Sequence, residues 1–234
     1  MTLPSLSIVI PAFNEEASIA QTVADALEVG ARVAAELEVL VCNDGSRDGT
    51  AAIVRAITDP RVRLIDRADN RGIEASMREL YAAARLAWIF LMSADRQWPM
   101  TTLVPMAAAA EAGADFVVGA RSNKRAVYTP FRQVVSWSYE RLVRALGAPT
   151  GDPGSIKLAR RELLDAPVVA RGVFAEGERI IRAARGGARV VEVPVEFHKR
   201  GAGKATGARA SVIGTAVVDG VRVAAALLTE SRRR

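Results

Sequence analysis

Among 234 residues there is one cysteine, one histidine and only 5% aromatic side chains. With Cys42 alone no intrachain disulfide can form, and its apolar neighbours make it read as a small core residue. His198, the one histidine, reads as a structural residue. No stretch reaches about 18 uncharged apolar residues, the length a membrane-spanning helix asks for. The nearest approach, residues 211–229, is interrupted by Asp219 and Arg222. The opening MTLPSLSIVIPAFNEE lacks the basic start and long apolar stretch of a signal peptide. No linker rich in Gly, Ser or Pro divides the chain. No basic patch interleaved with aromatics points to nucleic acid. These absences predict a soluble, cytoplasmic, single-domain protein.

What is present is a globular balance: 50% hydrophobic and 25% charged residues. Lys and Arg outnumber Asp and Glu by 32 to 26, a formal net charge of +6. That surplus suits an anionic ligand or a membrane surface, and it equally fits an arginine-rich composition.

Short apolar runs alternate with helical spacing through the first half. Residues 6–10, 38–42, 62–66, 88–92 and 116–118 read as strands. Residues 15–29, the segment carrying Ile53, Val54 and Ile57, and residues 72–85 and 101–112 read as helices. Asp48 is placed to cap the second helix. This rhythm predicts an α/β fold with a mainly parallel sheet covered on both faces. Ligand loops then gather at the carboxyl ends of the strands. Asn14, Glu15 and Glu16 stand there after the first strand, Asp44 and Gly45 after the second. Ser93, Asp95 and Gln97 follow the fourth strand, and Arg121 the fifth. In the second half, residues 131–146 read as a helix anchored inward by Val134, Trp137 and Leu142. Residues 155–158 read as a strand, 174–184 as a helix holding Glu176 and Glu178, and 190–197 as an edge strand carrying Pro194. A basic loop, 198–206, precedes an amphipathic final helix.

Two segments carry a resemblance: SIVIPAFNEE at residues 7–16 and VCNDGSRDGT at residues 41–50. Together they resemble inverting family 2 glycosyltransferases of the GT-A fold, and within them the dolichol- and polyprenyl-phosphate mannose synthase group. GAR at 119–121, DPGS at 152–155, PVEF at 194–197, and Arg200-Gly201 through Lys204 extend the resemblance. It implies a nucleotide-sugar-binding half over about residues 1–120, an acceptor-side half over about 121–206, and the tail helix over about 207–230.

The resemblance assigns nucleotide-sugar binding to Pro11, Ala12, Phe13, Asn14, Glu15, Asp44, Gly45, Arg71, Gly72, Ala94, Asp95 and Arg96. Asp44 would accept hydrogen bonds from base or ribose, while Gly45 lets the backbone approach. The family holds a divalent cation, Mg²⁺ or Mn²⁺, against the sugar diphosphate with Asp-x-Asp. Here the segment is Ser93-Ala94-Asp95-Arg96-Gln97, so Asp95 and Gln97 are the candidate metal ligands and the first acid is missing. Arg121, Arg132, Arg200 and Lys204 are the candidate grips for an acceptor phosphate. With Asp95, Arg121 and Asp152 as catalytic residues, the resemblance implies hexose transfer from a GDP-mannose or UDP-glucose type donor to a polyprenyl phosphate. A soluble small-molecule alcohol is the alternative acceptor, for which Asp152 is the base. Binding of nucleotide sugar without catalysis is the other alternative. The tail, with Ile213, Val217, Val221, Ala224 and Leu228 at helical spacing, fits a helix packed on the sheet or one lying peripherally on a membrane.

Overall fold

The computed structural model describes residues 2–198 and 210–231. Seven strands form one sheet: β1 (Leu3–Ala12), β2 (Ala34–Asp44), β3 (Val62–Arg67), β4 (Trp88–Leu91), β5 (Phe116–Arg121), β6 (Lys157–Arg160) and β7 (Val190–Val195). Their order is β3-β2-β1-β4-β6-β5-β7. β6 runs antiparallel to β4 and β5, while the other neighbours pair parallel. The expected mainly parallel sheet is therefore a mixed one, as in GT-A architectures.

Helices cover both faces: α1 (Ile19–Val33), α2 (Thr50–Arg55), α3 (Ile73–Ala83), α4 (Leu103–Glu111), α5 (Lys124–Val127), α6 (Pro130–Ala145), α7 (Arg161–Leu164), α8 (Phe174–Arg185) and α9 (Ala210–Ser231). Alternate residues of the central strands feed two cores. Ile8, Ile10, Val39 and Val41 point toward α1, α2 and α4. Val9, Leu40, Cys42 and Val118 point to the opposite side, toward α3 and α8. Both faces are covered, which is why these strands read as unbroken apolar runs.

Three local readings change. Helix α1 starts at Ile19, four residues later than expected, because residues 15–18 form a turn: Ser18 N and Ile19 N both donate to Glu15 O. β6 covers Lys157–Arg160 and not 155–158. In α6, Val134 and Trp137 are exposed, not buried. The buried side of α6 is instead Val143, with Tyr139 edge-on against Phe174 of α8. Pro130 starts this helix, and the Thr129 hydroxyl accepts from Arg132 N. In α9, Asp219 is no mere interruption: it is fully buried and accepts from Arg171 N and Gly172 N at 3.0 and 2.8 Å. That carboxylate ties the tail helix to the entrance of α8. No described helix is long and apolar enough to cross a membrane.

Candidate functional site

The strand-end loops of β1, β2 and β4 lie side by side because those strands are neighbours in the sheet. Pro11 and Ala12 complete β1, and Phe13 beyond them is exposed. Asn14 sits in the left-handed region, at φ 54°, a conformation non-glycine residues reach at a cost. The neighbouring loop holds it there. Asn14 N donates to Ser46 Oγ at 2.9 Å, and Arg47 N donates to Asn14 Oδ1 at 2.9 Å. Glu15 N donates to Thr50 Oγ1 at 2.8 Å. The two motif segments thus form one stapled rim, and Asp48 accepts from Thr50 N at the start of α2.

Asp44 corrects an expectation. It is 4% exposed, and both carboxylate oxygens are engaged by the protein. Oδ1 accepts from Arg71 N and Arg67 Nη1, both at 2.9 Å, and Oδ2 accepts from Gly72 N at 2.8 Å. Its work in this structure is to draw the loop at 70–72 against the end of β2, not to present a free carboxylate to a base or ribose. Gly45 belongs to the same contact. At φ 69°, a Cβ there would lie 2.6 Å from Asn70 N. Gly72 (φ 87°) opens α3, and Arg71 beside it is exposed at the rim. Arg67 escaped the reading of the sequence. It stands at the end of β3 as Arg121 stands at the end of β5, and that shared position is the signal that points to it.

The turn after β4 holds Asp95. Ser93 Oγ donates to Asp95 Oδ1 at 2.6 Å and Gln97 N donates to the same oxygen at 3.2 Å. Ala94 is buried, with its carbonyl accepting from Thr22 Oγ1 at 3.1 Å. Arg96 is the second non-glycine residue with a positive φ, 56°, and its guanidinium pairs with Asp25 at 3.3 Å. The Gln97 amide is turned to the His198 carbonyl at 3.1 Å, while His198 N donates to Gln97 O at 2.7 Å. That pairing brings His198 to the rim of a cavity of about 200 Å³ with Ser93, Arg96 and Trp98. Among the described residues no group of three or more His, Cys, Asp or Glu is placed to hold a metal. Asp95 is a single carboxylate, which fits a divalent cation that draws its remaining oxygens from a diphosphate and water.

On the acceptor side the structure corrects two more expectations. Arg121 does not offer a free fork. Its N and Nε both donate to Asp152 Oδ2, at 2.9 and 2.8 Å, and its Nη2 closes on Oδ1. Asp152 is 2% exposed, and Lys124 Nζ approaches it to 3.2 Å. Both Asp152 oxygens are turned to Arg121 and Lys124 and not toward an acceptor hydroxyl, so this carboxylate orients Arg121. The remaining Arg121 nitrogen reaches Tyr128 Oη, and the guanidinium lies 5.4 Å from the Phe197 ring centre. Arg132 is half-buried, with its guanidinium 4.0 Å above the Tyr128 ring. Arg200 and Lys204 lie outside the described residues.

Behind the rim, α3, β6 and α8 bury a charge network that no sequence period reveals. Lys157 Nζ and Tyr81 Oη donate to Glu176 Oε2 at 2.6 and 3.0 Å, and Arg179 Nη1 donates to Glu176 Oε1 at 2.8 Å. Burial works against the Glu176 charge, yet Lys157 and Arg179 hold its carboxyl below the ordinary range. Glu74, in the first turn of α3, has no such hydrogen bonds. Arg78 and Arg179 come only to 3.6 and 3.7 Å, and burial pushes its carboxyl up to about 7.

A covered, mixed sheet with its polar loops crowded at one set of strand ends matches the GT-A architecture. The chain belongs to glycosyl transferase family 2, whose model matches residues 7–166, and it is a glycosyltransferase. It is 28% identical, over 82% of its length and 77% of the relative's, to the polyprenol monophosphomannose synthase of Mycolicibacterium smegmatis. A shorter match, 38% identical, covers 40% of this chain and 26% of the succinoglycan biosynthesis protein ExoO of Rhizobium meliloti. Among solved structures, glucosyl-3-phosphoglycerate synthase of Mycobacterium tuberculosis, complexed with Mg²⁺ and UDP, aligns at TM-score 0.74 and 18% identity. That alignment covers 94% of this chain and 79% of the synthase. The same synthase has been solved with Mn²⁺, UDP-glucose and phosphoglyceric acid. This comparison corrects the expectation of a polyprenyl-phosphate acceptor: the matching structures hold a small soluble one.

Proposed function

We propose that this glycosyltransferase moves a hexose from a nucleotide-diphosphate sugar of the UDP-glucose type to a hydroxyl of a small, anionic, soluble acceptor, with inversion. The observation that carries the reading is the crowding of the Asn14, Asp44 and Asp95 loops at adjacent strand ends of a family 2 sheet. The stapled β1 and β2 loops form the floor for the nucleotide. Glu15 and the Pro11–Phe13 strand end line it, with Gly45 allowing the 70–72 loop to close over one side. Asp95, with Gln97 and His198 beside it, would hold Mg²⁺ or Mn²⁺, which supplies positive charge for the departing diphosphate. Arg96 and Arg71, both exposed at this rim, add to that field.

On the acceptor side, Arg132 stacked on Tyr128 takes the acceptor's carboxylate or phosphate. The Arg121–Asp152 pair fixes the wall against which the acceptor sits. The acceptor hydroxyl oxygen then attacks the anomeric carbon from the side opposite the diphosphate, the bond from that carbon to the diphosphate oxygen breaks, and the hydroxyl proton passes to water. The test is a mass-spectrometric screen of UDP- and GDP-sugars against small hydroxy acids, sugar phosphates and a polyprenyl phosphate. The reading expects divalent-dependent nucleoside diphosphate release with a soluble acceptor. Turnover with polyprenyl phosphate alone would overturn it.

A further inference from the structure

Helix α6 turns an apolar face to solvent. Phe131, Val134 and Trp137 are 60%, 61% and 60% exposed. Their spacing sets them on one side of the helix, opposite the buried Val143. Arg141 lies among them, its guanidinium 5.6 Å from the Trp137 ring centre, and Arg144 flanks the same side. Helix α9 adds a second stripe. Val217, Val221 and Leu228 are exposed at helical spacing and no charged residue shares their line. The two helices touch where Gly220 of α9 lies against Leu142 of α6: a Cβ at Gly220 would stand 2.9 Å from Leu142 Cδ2. A patch joining two helices with an exposed tryptophan is more than scattered surface hydrophobicity.

Charge decides what covers it. The acids of these two helices are Glu140, Asp219 and Glu230, and each is already paired, with Lys124, Arg222 and Arg182. Among the described residues Arg141 and Arg144 form no ion pair; Arg144 Nε donates to the Thr150 carbonyl at 3.0 Å, which leaves Arg141 as the cation on the apolar line. The sequence continues past α9 with Arg232, Arg233 and Arg234. A second copy of the chain would bring like charges together. We propose that the joined faces of α6 and α9 dock on an anionic lipid surface. Phe131, Val134, Trp137 and the α9 valines enter the headgroup boundary, and the arginines meet lipid phosphates. Lipid is here the surface and not the acceptor, so this inference stands apart from the acceptor's identity.

The test is flotation of the full chain with vesicles of phosphatidylcholine, alone or mixed with phosphatidylglycerol, alongside tryptophan fluorescence. Binding is expected only with the anionic vesicles, with a blue shift in emission, and is expected to weaken as salt rises. Trp137→Ala should reduce vesicle affinity about tenfold or more and abolish most of the blue shift, since Trp88 is buried and Trp98 half-buried. Arg141→Glu should remove most of the preference for anionic lipid. Circular dichroism and sugar transfer to a soluble acceptor should be unchanged in these variants, which separates lost docking from lost folding. Equal binding to both vesicle types, or none to either, would overturn the proposal. So would sedimentation showing a dimer that Trp137→Ala dissociates, which would give the face to a second copy.

Discussion

Asp44 and Asp152 invite comparison. Both are nearly fully buried carboxylates at the strand-end edge of the sheet, and both meet arginine. On the donor side, Asp44 takes two backbone N–H groups and one guanidinium nitrogen, so its charge is spent on shaping a loop. On the acceptor side, Asp152 takes a guanidinium in a fork and an ammonium, so its charge is spent on holding cations. The first arrangement uses an acid to fix a backbone loop; the second uses an acid to set the direction of a guanidinium. Acids at strand ends are therefore as informative about how a site is braced as about what it binds.

The comparison breaks most visibly if the acceptor-side pair is cut. Arg121→Ala leaves a carboxylate buried with only Lys124 nearby, and is expected to destabilise the fold by about 3 kcal/mol or more. Asp44→Ala, losing largely backbone bonds, should cost less, on the order of 2 kcal/mol, while loosening the 70–72 loop. Urea unfolding of both variants measures this. The double variant Arg121→Ala with Asp152→Ala should recover part of the loss, because no orphan charge remains. An Arg121→Ala protein as stable as the parent would return that guanidinium to the acceptor.

The buried acid that neither arrangement satisfies gives the next effect. Burial raises the Glu74 carboxyl from 4.5 to about 7, so the folded chain holds this proton more tightly than the unfolded chain does. The group's contribution is best below its unfolded value and is lost as pH rises through about 7, a swing on the order of 3 kcal/mol. Glu74→Gln should flatten that slope. Chemical denaturation of parent and variant at about pH 5 and about pH 8 tests it, and the parent should lose more stability on going to the higher pH.

How far the sequence speaks also divides along this line. The donor-side strands were legible because each apolar run is bounded by a polar loop, and β2, β3 and β4 lie where those runs stand. The resemblance named the loops that the sheet then brings together. It did not reveal that both Asp44 oxygens are engaged by the protein, because hydrogen bonds to the backbone of residues 71 and 72 leave no mark in composition. In the second half the helical spacing of Val134, Trp137 and Leu142 was visible, but spacing identifies a face and not what covers it. Asp219 read as an interruption and Glu176 as one residue of a helix, and neither reading revealed a buried charge, since such burial depends on a partner elsewhere in the chain.

On the donor side, Asp95 is the residue whose loss should slow transfer without unfolding the chain. Asp95→Asn removes the one carboxylate of the turn and is expected to lower turnover about a hundredfold, some 2.7 kcal/mol of transition-state stabilisation. The fold should persist, because Ala94 and Thr22 still fix the turn. Initial rates against divalent-ion concentration, with the urea midpoint measured in parallel, separate the two effects. A fall in stability matching the fall in rate would make Asp95 a brace like Asp152.

The smallest effect concerns Ser93, which donates to Asp95 Oδ1 where the family pattern has another acid. That hydroxyl neutralises nothing; it only orients the carboxylate. Ser93→Asp would put two carboxylates at one turn, beside an Arg96 already paired with Asp25. Without metal they repel, and with metal both supply hard oxygen, so the gain appears only on cation binding. The half-saturating Mg²⁺ or Mn²⁺ concentration should fall about tenfold, roughly 1.4 kcal/mol. Turnover at saturating cation should change little, since the same charge then faces the diphosphate. Cation titrations of rate for parent and variant test this, and an unchanged midpoint would mean that the ion, when bound, rests on Asp95 and the donor without calling on position 93.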